Sequence, residues 1–302
     1  MKEPVTWLNK TERGTLFGIR AAFWWATLFG RRLTRPIVSL VALWYRLFDR
    51  RSVRTSRAWL TRVDGSPPSF GRIYAHLRTF AQVTLDRVFL LKDRTKGMRF
   101  TRTGHELLVQ QVATGHGALL VGAHLGSYEA MRAGGFEDQI PIRILGYFAN
   151  AKMINALLEQ LDPHKAAKVM HLGDDPVGVM TKVQECLEHG EFVAMMADRT
   201  GLNERTVLAE FFGQPAPFAA GPFLLASILR CPVYLVFGLY TEPNRYDLHC
   251  ERFADRIDLP RKDRDGAMKE WVQRYAARIE HHARNAPLNW FNFFDFWAKP
   301  GA

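Results

Sequence analysis

The stretch that best indicates the fold of this chain is Ala118-Leu119-Leu120-Val121-Gly122-Ala123-His124-Leu125-Gly126-Ser127-Tyr128-Glu129. The apolar run 118–121 predicts a buried strand, and the pattern after Gly126 predicts a helix. Because the carboxyl ends of strands in α/β sheets are where sites form, the turn that contains His124 is the first candidate site.

The rest of the chain repeats this alternation of short apolar strands and amphipathic helices, which is typical of an α/β fold. Strands are predicted at 142–147, 168–172, 192–196, 233–237 and, as an edge strand, 245–253. Helices are predicted at 103–115 with a capping box at Thr103, at 150–161, from a cap at Asp175 to Gly190, at 221–229 and at 262–285. The segment 211–222 is predicted to be a shaped loop.

Composition and charge divide the chain into two regions. Its 302 residues are 47% apolar and 24% charged, with a mean hydropathy of −0.16, which excludes a disordered chain and a polytopic membrane protein. Residues 1–62 hold 13 Lys and Arg against 3 Asp and Glu, a net of +10 out of a total of +11. We therefore predict a basic N-terminal region, 1–62, and one catalytic-size domain, 63–302.

The N-terminal region alternates apolar, tryptophan-containing runs with arginine clusters. Neither apolar run reaches the roughly 20 residues needed to cross a bilayer. Trp24, Trp25 and Trp44 suit the headgroup level of a membrane, beside arginines that attract anionic lipid. The prediction is an interfacial, basic amphipathic helical anchor. The alternative is a helical layer that packs on the main domain, whereas nucleic-acid binding is disfavoured because the aromatics are grouped in apolar runs.

Several chemistries find no support in the sequence. Cys186, Cys231 and Cys250 are odd in number and lack metal-ligand spacing, and the ten histidines lack it too. The dinucleotide, P-loop and nucleophile-elbow motifs are also missing. We therefore predict no metal, no redox cofactor and no serine hydrolase.

His124 and Glu129 form the sharpest candidate pair. Five residues apart, they would lie about 140° from each other on one helix, so His124 is expected before the helix and Glu129 in its first turns. From there the carboxylate could reach one imidazole nitrogen and leave the other to accept a proton. Gly122 and Gly126 would allow a substrate to approach the turn. From the residues alone, a purely structural His–Glu hydrogen bond remains the alternative.

The spelling Gly-Ala-His-Leu-Gly-Ser-Tyr-Glu resembles the H-x-x-x-x-[DE] motif of the glycerolipid and lysophospholipid acyltransferases, and most closely the lipid A biosynthesis acyltransferase family. Further similar blocks follow in the same order, at Met196-Ala197-Asp198-Arg199, at 211–222 and at Cys231-Pro232-Val233. The N-terminal stretch 7–14 also fits. The resemblance implies an acyltransferase-like central mixed sheet flanked by helices.

The resemblance also implies roles for individual residues. His124 would be the general base that takes the proton of an acceptor hydroxyl, and Glu129 would orient and charge it. Arg199 would stabilise an anionic headgroup or the developing oxyanion, with a salt bridge inside its loop as the alternative, while Asp198 would hold that loop. Glu210 would support the histidine from across the cleft.

Gly126 and Ser127 complete the expected substrate-binding set. The implied reaction moves a fatty acyl group from an acyl carrier protein or coenzyme A thioester to a hydroxyl of a lipid A-like lipid at the cytoplasmic face of the inner membrane. Basic residues beside the cleft would steer the acidic carrier, with a solvated basic face as the alternative: Lys92, Arg94, Lys96, Arg99 and Arg102.

Two departures from the family pattern concern the acceptor. Arginines divide the N-terminal apolar segment, and the stretch 147–155 is only loosely similar to the family's sugar-phosphate-facing segment. An aryl-polyene, ornithine-lipid, mannoside or lysophospholipid acyltransferase is therefore an alternative, as are a non-catalytic glycolipid-binding relative and a thioester hydrolase.

Overall fold

The computed structural model describes residues 16–135, 140–146, 169–171, 175–200 and 205–297. The helices are α1 (Leu16–Phe48), α2 (Arg50–Asp64), α3 (Phe70–Leu91), α4 (His105–Ala113), α5 (Tyr128–Gly135), α6 (Pro176–Glu188), α7 (Gly221–Leu229) and α8 (Arg264–Asn285). The strands are β1 (Arg99–Thr103), β2 (Leu119–Gly122), β3 (Ile142–Gly146), β4 (Val169–His171), β5 (Phe192–Met196), β6 (Thr206–Phe211), β7 (Gln214–Ala219), β8 (Val233–Thr241) and β9 (Arg245–Ala254). Short 3-10 turns lie at Arg261–Asp263 and Pro287–Asn289.

A mixed sheet forms the centre of the molecule. Within the described residues it has seven strands in the order β1-β9-β8-β2-β5-β3-β4, and only the β8–β9 pair is antiparallel. All of β2 and eight of the nine residues of β8 are buried, as expected where helices cover both faces of a sheet. The predicted α/β class with a central mixed sheet and flanking helices is confirmed.

One strand prediction was wrong in its position. The segment 245–254 forms β9, but it lies between β1 and β8 rather than at an edge. The edge on this side of the sheet is β1, which pairs in parallel with β9. Four of the five β1 residues are exposed, so the strand lacks the apolar signal by which buried strands are recognised.

The predicted loop at 211–222 is largely a β-hairpin. Strands β6 and β7 pair antiparallel from Thr206 with Ala219 to Phe211 with Gln214. Phe212 and Gly213 make the turn with positive φ angles of 51° and 72°. Pro215 and Pro217 of β7 are compatible with a strand here, because in a two-stranded ribbon each strand has a free edge on which a proline can be accommodated.

Of the two predicted helix caps, one is confirmed and the other is wrong. Asp175 caps α6 by accepting a hydrogen bond from the N–H of Gly178 at 3.0 Å. Thr103, by contrast, belongs to β1, and α4 begins after Gly104 without a side-chain cap. Gly104 has a φ of 74°, and a Cβ there would lie 1.9 Å from the carbonyl oxygen of Cys250, so close packing on β9 determines this helix start.

The N-terminal helices pack against the main body through α3. Helix α1 is interrupted at Gly30 (φ 73°, ψ 174°). The Arg31 guanidinium binds the buried Asp86 carboxylate of α3, with distances of 2.5 Å from Nε and 2.7 Å from Nη2. Within the described ranges, no helix combines the length and the apolar character that a membrane span requires.

The predicted boundary at residue 62 falls inside α2, where Trp59 is buried in the main core and stacks on Trp290 at 5.1 Å. This contact does not decide whether 1–62 and 63–302 are separate regions, and that division stays a prediction. The expected helix at 150–161 and the family-like stretches 7–14 and 147–155 lie outside the described residues.

After α8, the described residues up to 297 return across the carboxyl end of the central strands. After α8 and the turn Pro287–Asn289, residues 290–296 join the largest apolar cluster. The side chain of Asn289 bonds the backbone of Tyr240 in β8, accepting from its N–H at 2.7 Å and donating to its carbonyl at 2.9 Å. This segment therefore lies next to the turn that follows β2.

Candidate active site

His124 lies in the turn between β2 and α5, as the sequence predicted. The carbonyl of His124 accepts a hydrogen bond from the N–H of Phe291 at 2.8 Å. The N–H of Gly126 donates to Asn289 at 2.9 Å, and the N–H of Ser127 donates to Gly238 at 2.7 Å. The turn is thus held from two sides, while the imidazole keeps 27% of its surface exposed. A fixed backbone with an accessible ring is what a positioned base requires.

Gly126 and Ser127 have structural partners in this turn. Gly126 has a φ of 80°, and a Cβ there would lie 2.1 Å from the carbonyl oxygen of Gly238, so the close approach of β8 requires glycine. Ser127 is buried, and its hydroxyl accepts a hydrogen bond from the N–H of Ala130 at 3.1 Å, which caps the start of α5. Their predicted part in substrate binding stays a prediction.

The imidazole of His124 is oriented by Asp198, which follows β5. The distance from His124 Nδ1 to Asp198 Oδ1 is 2.9 Å, and the backbone N–H of His124 donates to Asp198 Oδ2 at 3.0 Å. Because a carboxylate only accepts, this contact assigns the proton to Nδ1. The parallel neighbours β2 and β5 end side by side, with Gly122 opposite Met196, and this register brings the two residues together.

Two further residues hold Asp198. Asn292 Nδ2 donates to Asp198 Oδ2 at 2.8 Å, and Asn292 Oδ1 accepts from Arg199 Nε at 2.7 Å. Arg199 Nη2 also donates to the carbonyl of Phe291 at 3.3 Å, and its guanidinium lies 5.6 Å from the ring of Phe294. Arg199 therefore ties the returning C-terminal segment to the His124–Asp198 pair.

The expected contact between Glu129 and His124 is absent among the described residues. Glu129 instead forms an ion pair with Arg87 of α3, with Arg87 Nε 2.5 Å from Glu129 Oε1. The helix predicted after Gly126 does begin at Tyr128, so Glu129 lies in its first turn as expected. The Glu129 side chain is directed toward Arg87 because α3 packs beside α5, and the local sequence does not indicate this neighbour.

Glu210 lies on β6 with its side chain exposed. Its backbone exchanges two hydrogen bonds with the side chain of Gln273 in α8, at 2.7 and 3.0 Å. In the described part of the chain it makes no hydrogen bond to His124, so the structure does not bring it to the histidine as expected.

Burial and charge set the protonation of the pair. Burial is the main cause that lowers the pKa of His124, the charges of Arg199 and Arg87 lower it further, and Asp198 opposes them. Burial works to raise the pKa of Asp198, but the charge and hydrogen bond of His124, with Arg199 and Asn292, bring it down to about 2. At neutral pH the pair is therefore a neutral imidazole beside a carboxylate.

Sequence reasoning missed Asn292, Phe291 and Arg87. Asn292 and Phe291 lie 93 and 92 residues from Arg199 in sequence. Arg87 lies on α3, a helix that was not predicted from the sequence. None of them belongs to a motif near His124. Within the described ranges, no group of three or more His, Cys, Asp or Glu side chains is arranged to hold a metal ion.

A neutral histidine, oriented by a buried carboxylate at the carboxyl end of a central strand, is the arrangement of an acid–base catalyst. In a comparison with protein families, residues 5–299 match the model of the bacterial lipid A biosynthesis acyltransferases. The match covers nearly the whole chain, so the protein belongs to this family and is an acyltransferase that acts on lipid. A search of curated proteins found no match.

Proposed function

We propose that the protein transfers a fatty acyl group from an acyl carrier protein or coenzyme A thioester to a hydroxyl of a lipid A-like lipid or glycolipid. His124 acts as the general base. The observation that carries this proposal is the bond from Nδ1 to Asp198, which leaves Nε2 as the unprotonated nitrogen. Within the described residues, Nε2 makes no hydrogen bond.

The proposed reaction has two steps. The acceptor oxygen attacks the thioester carbonyl carbon while His124 Nε2 removes the hydroxyl proton, which yields a tetrahedral intermediate with negative charge on the former carbonyl oxygen. The carbon–sulfur bond then breaks, and the leaving thiolate takes the proton from the imidazolium. Asp198 stabilises the imidazolium between these steps, and Asn292 with the N–H of His124 holds Asp198 in place.

The carrier-protein donor fits a basic surface on α3 and β1. Arg94, Lys96, Arg99 and Arg102 are exposed around the end of α3 and along the edge strand β1. An acidic carrier would be attracted to this surface, and attraction between exposed charges falls as salt increases. We expect activity with the carrier thioester to decrease at high salt more than activity with the coenzyme A thioester. Equal salt profiles would contradict carrier docking at this surface.

We also propose that α1 binds the inner membrane from its cytoplasmic side. The side of α1 that faces α3 carries small and polar residues, including Ala26, Arg31, Thr34 and Ala42. Its outer side carries exposed large apolar residues: Trp24, Trp25, Leu28, Phe29, Leu33, Ile37, Leu40, Val41, Trp44, Leu47 and Phe48. This is the reverse of a water-exposed helix, and it suits the boundary between lipid headgroups and acyl chains.

Flotation of the full chain with anionic vesicles tests membrane binding. The Leu33→Glu/Leu40→Glu variant removes two exposed leucines, each worth about 1.5–3 kcal/mol when buried in an apolar phase, and it should lose vesicle binding. Leu208→Glu changes an equally apolar, exposed leucine on β6 and should float like wild type. Equal recovery of all three proteins would contradict the assignment of α1.

The transferase itself is tested with labelled acyl thioesters and a total lipid extract, comparing wild type with His124→Ala by mass spectrometry. A lipid that gains one acyl group with wild type only is the expected result, and its headgroup separates lipid A from the aryl-polyene, ornithine-lipid and lysophospholipid alternatives. Free fatty acid as the only product would favour thioester hydrolysis, and no turnover with any donor would favour a binding protein.

A further inference from the structure

Two cations, Arg199 and Arg87, lower the pKa of His124, and both side chains are partly exposed. Arg199 donates hydrogen bonds to Asn292 and to the carbonyl of Phe291, and its predicted part in substrate binding stays a prediction. The side chain of Arg87 is 37% exposed and contacts Glu129, whose side chain is 13% exposed. Glu129 lies in the first turn of α5, directly after the His124 turn, so the ion pair brings Arg87 to that turn, and the charge of Arg87 lowers the pKa of the imidazole.

The residues that precede Arg87 on α3 also lie next to the His124 turn. Phe80, Thr84 and Arg87 follow each other at helical spacing on α3, and none of the three is buried. The ring of Phe80 lies 5.3 Å from that of Phe291, whose N–H binds the carbonyl of His124. This face of α3 therefore runs beside the His124 turn and presents an exposed phenylalanine ring followed by a cation.

We propose that Arg87, aimed by Glu129, binds an anionic oxygen of the reactants beside His124. The oxygen is either the one that becomes negative on the thioester carbonyl or a phosphate oxygen of the acceptor headgroup. The inference rests on the proposed acyl transfer. It gives Glu129 a positioning role through Arg87, in place of the direct bond to His124 that its motif suggested.

The chemistry of the ion pair supports this assignment. Guanidinium presents several donors in one plane, so Arg87 can keep a contact with Glu129 while other N–H groups bind a substrate oxygen. A partly exposed pair is also weak enough to adjust when an anion arrives. A carboxylate fixed in the first turn of α5 holds the long arginine side chain near one position before substrate binds.

The test compares Arg87→Met, Glu129→Gln and the double variant with wild type. Arg78→Met is the matched control, because Arg78 also lies on α3 and also forms an ion pair, with Glu242. Each protein is assayed with an acyl thioester and two acceptors, a phosphorylated lipid A disaccharide precursor and the same lipid after dephosphorylation. Thermal unfolding of each variant shows that it is folded.

Either source of the anionic oxygen predicts a distinct loss for Arg87→Met. If Arg87 stabilises the oxyanion, kcat falls about 100- to 1,000-fold with both acceptors, as for loss of one oxyanion donor. If Arg87 binds the headgroup, KM rises by about 10- to 100-fold for the phosphorylated acceptor alone. Arg78→Met should match wild type. Unchanged kcat and KM with both acceptors would overturn the proposal.

The double variant separates the two roles of Glu129. If Glu129 acts through Arg87, the double variant is no slower than Arg87→Met, because the two changes remove one interaction. Arg87→Met should also raise the apparent pKa of the acid limb, since a cation that lowers the pKa of His124 is lost. If instead Glu129→Gln is equally damaging whether or not Arg87 is present, Glu129 acts directly on the histidine and the proposal is wrong.

A binding measurement keeps this result separate from the transferase assay. If wild type shows no acyl transfer, the proposed function fails, and binding of dodecyl phosphate then tests Arg87 by itself. The proposal expects Arg87→Met to bind dodecyl phosphate at least about 10-fold more weakly than wild type and Arg78→Met. Equal binding by all three proteins would overturn it.

Discussion

Replacing Asp198 with Asn would remove the negative charge of the His124 pair and keep its volume. Asp198 is buried and accepts hydrogen bonds from His124 Nδ1, from the N–H of His124 and from Asn292. An ion pair at about 4 Å is worth about 4 kcal/mol at an intermediate dielectric, and this attraction to the imidazolium would be lost. We expect kcat to fall by about 30- to 1,000-fold, which corresponds to about 2–4 kcal/mol.

Stability should fall as well. In the wild type both carboxylate oxygens of Asp198 accept hydrogen bonds, and in the variant the amide NH2 group would face one of those donors. One such opposed pair costs about 1–3 kcal/mol in the free energy of unfolding. The exchange variant Asp198→Asn/Asn292→Asp is the control. It restores one amide-to-carboxylate hydrogen bond and keeps a carboxylate near Arg199, so it should recover part of the stability while the charge no longer touches His124.

The assay is thioester cleavage and acyl transfer followed from pH 5 to 9, alongside urea unfolding. The acid limb of Asp198→Asn should move to lower pH, because Asp198 raises the pKa of His124. If the variant keeps more than roughly one third of wild-type kcat, a loss below about 0.7 kcal/mol, and its acid limb does not move, Asp198 is not the group that supports the histidine.

Three further outcomes follow from the geometry. The pKa of His124 is lowered from 6.5, so the base is unprotonated at neutral pH and kcat/KM should fall only as the pH drops below 6.5; a midpoint above that value would contradict the burial argument. Trp59→Ala should cost about 3–5 kcal/mol in chemical unfolding, because Trp59 is buried in the main cluster, and a loss below about 1 kcal/mol would mean that α2 is not docked there. Gly126→Ala should destabilise far more than Gly213→Ala in thermal unfolding, because both have positive φ but only Gly126 has a backbone oxygen, that of Gly238, in the way of a Cβ. Similar losses for both would contradict this packing.

The His124 site depends on chain segments that meet only after folding. Asp198 arrives through the parallel pairing of β2 with β5, and Asn292 through the return of the chain after α8. Each contact is a hydrogen bond to a charged or buried group, so misplacement of either segment would leave an uncompensated polar group. The base is therefore stable only when the central sheet and the C-terminal segment are both in place.

Local sequence signals predicted the elements whose causes are local. The apolar run at 192–196 became β5, and the Asp175 cap with Pro176 started α6, because burial and capping act within a few residues. The glycine-flanked turn after β2 likewise placed His124 before α5. The polar edge strand β1 was missed, since an exposed strand carries little apolar periodicity.

The sequence by itself determined the α/β class, the position of His124 and the resemblance that the family match later supported. Only the tertiary structure decided which carboxylate faces the histidine. Glu129 is five residues away and Asp198 is 74 residues away, yet Asp198 makes the bond, while Arg87 takes Glu129. The reason is physical: side-chain direction depends on which neighbours surround an element, and strand pairing and helix packing bring those neighbours from distant parts of the chain.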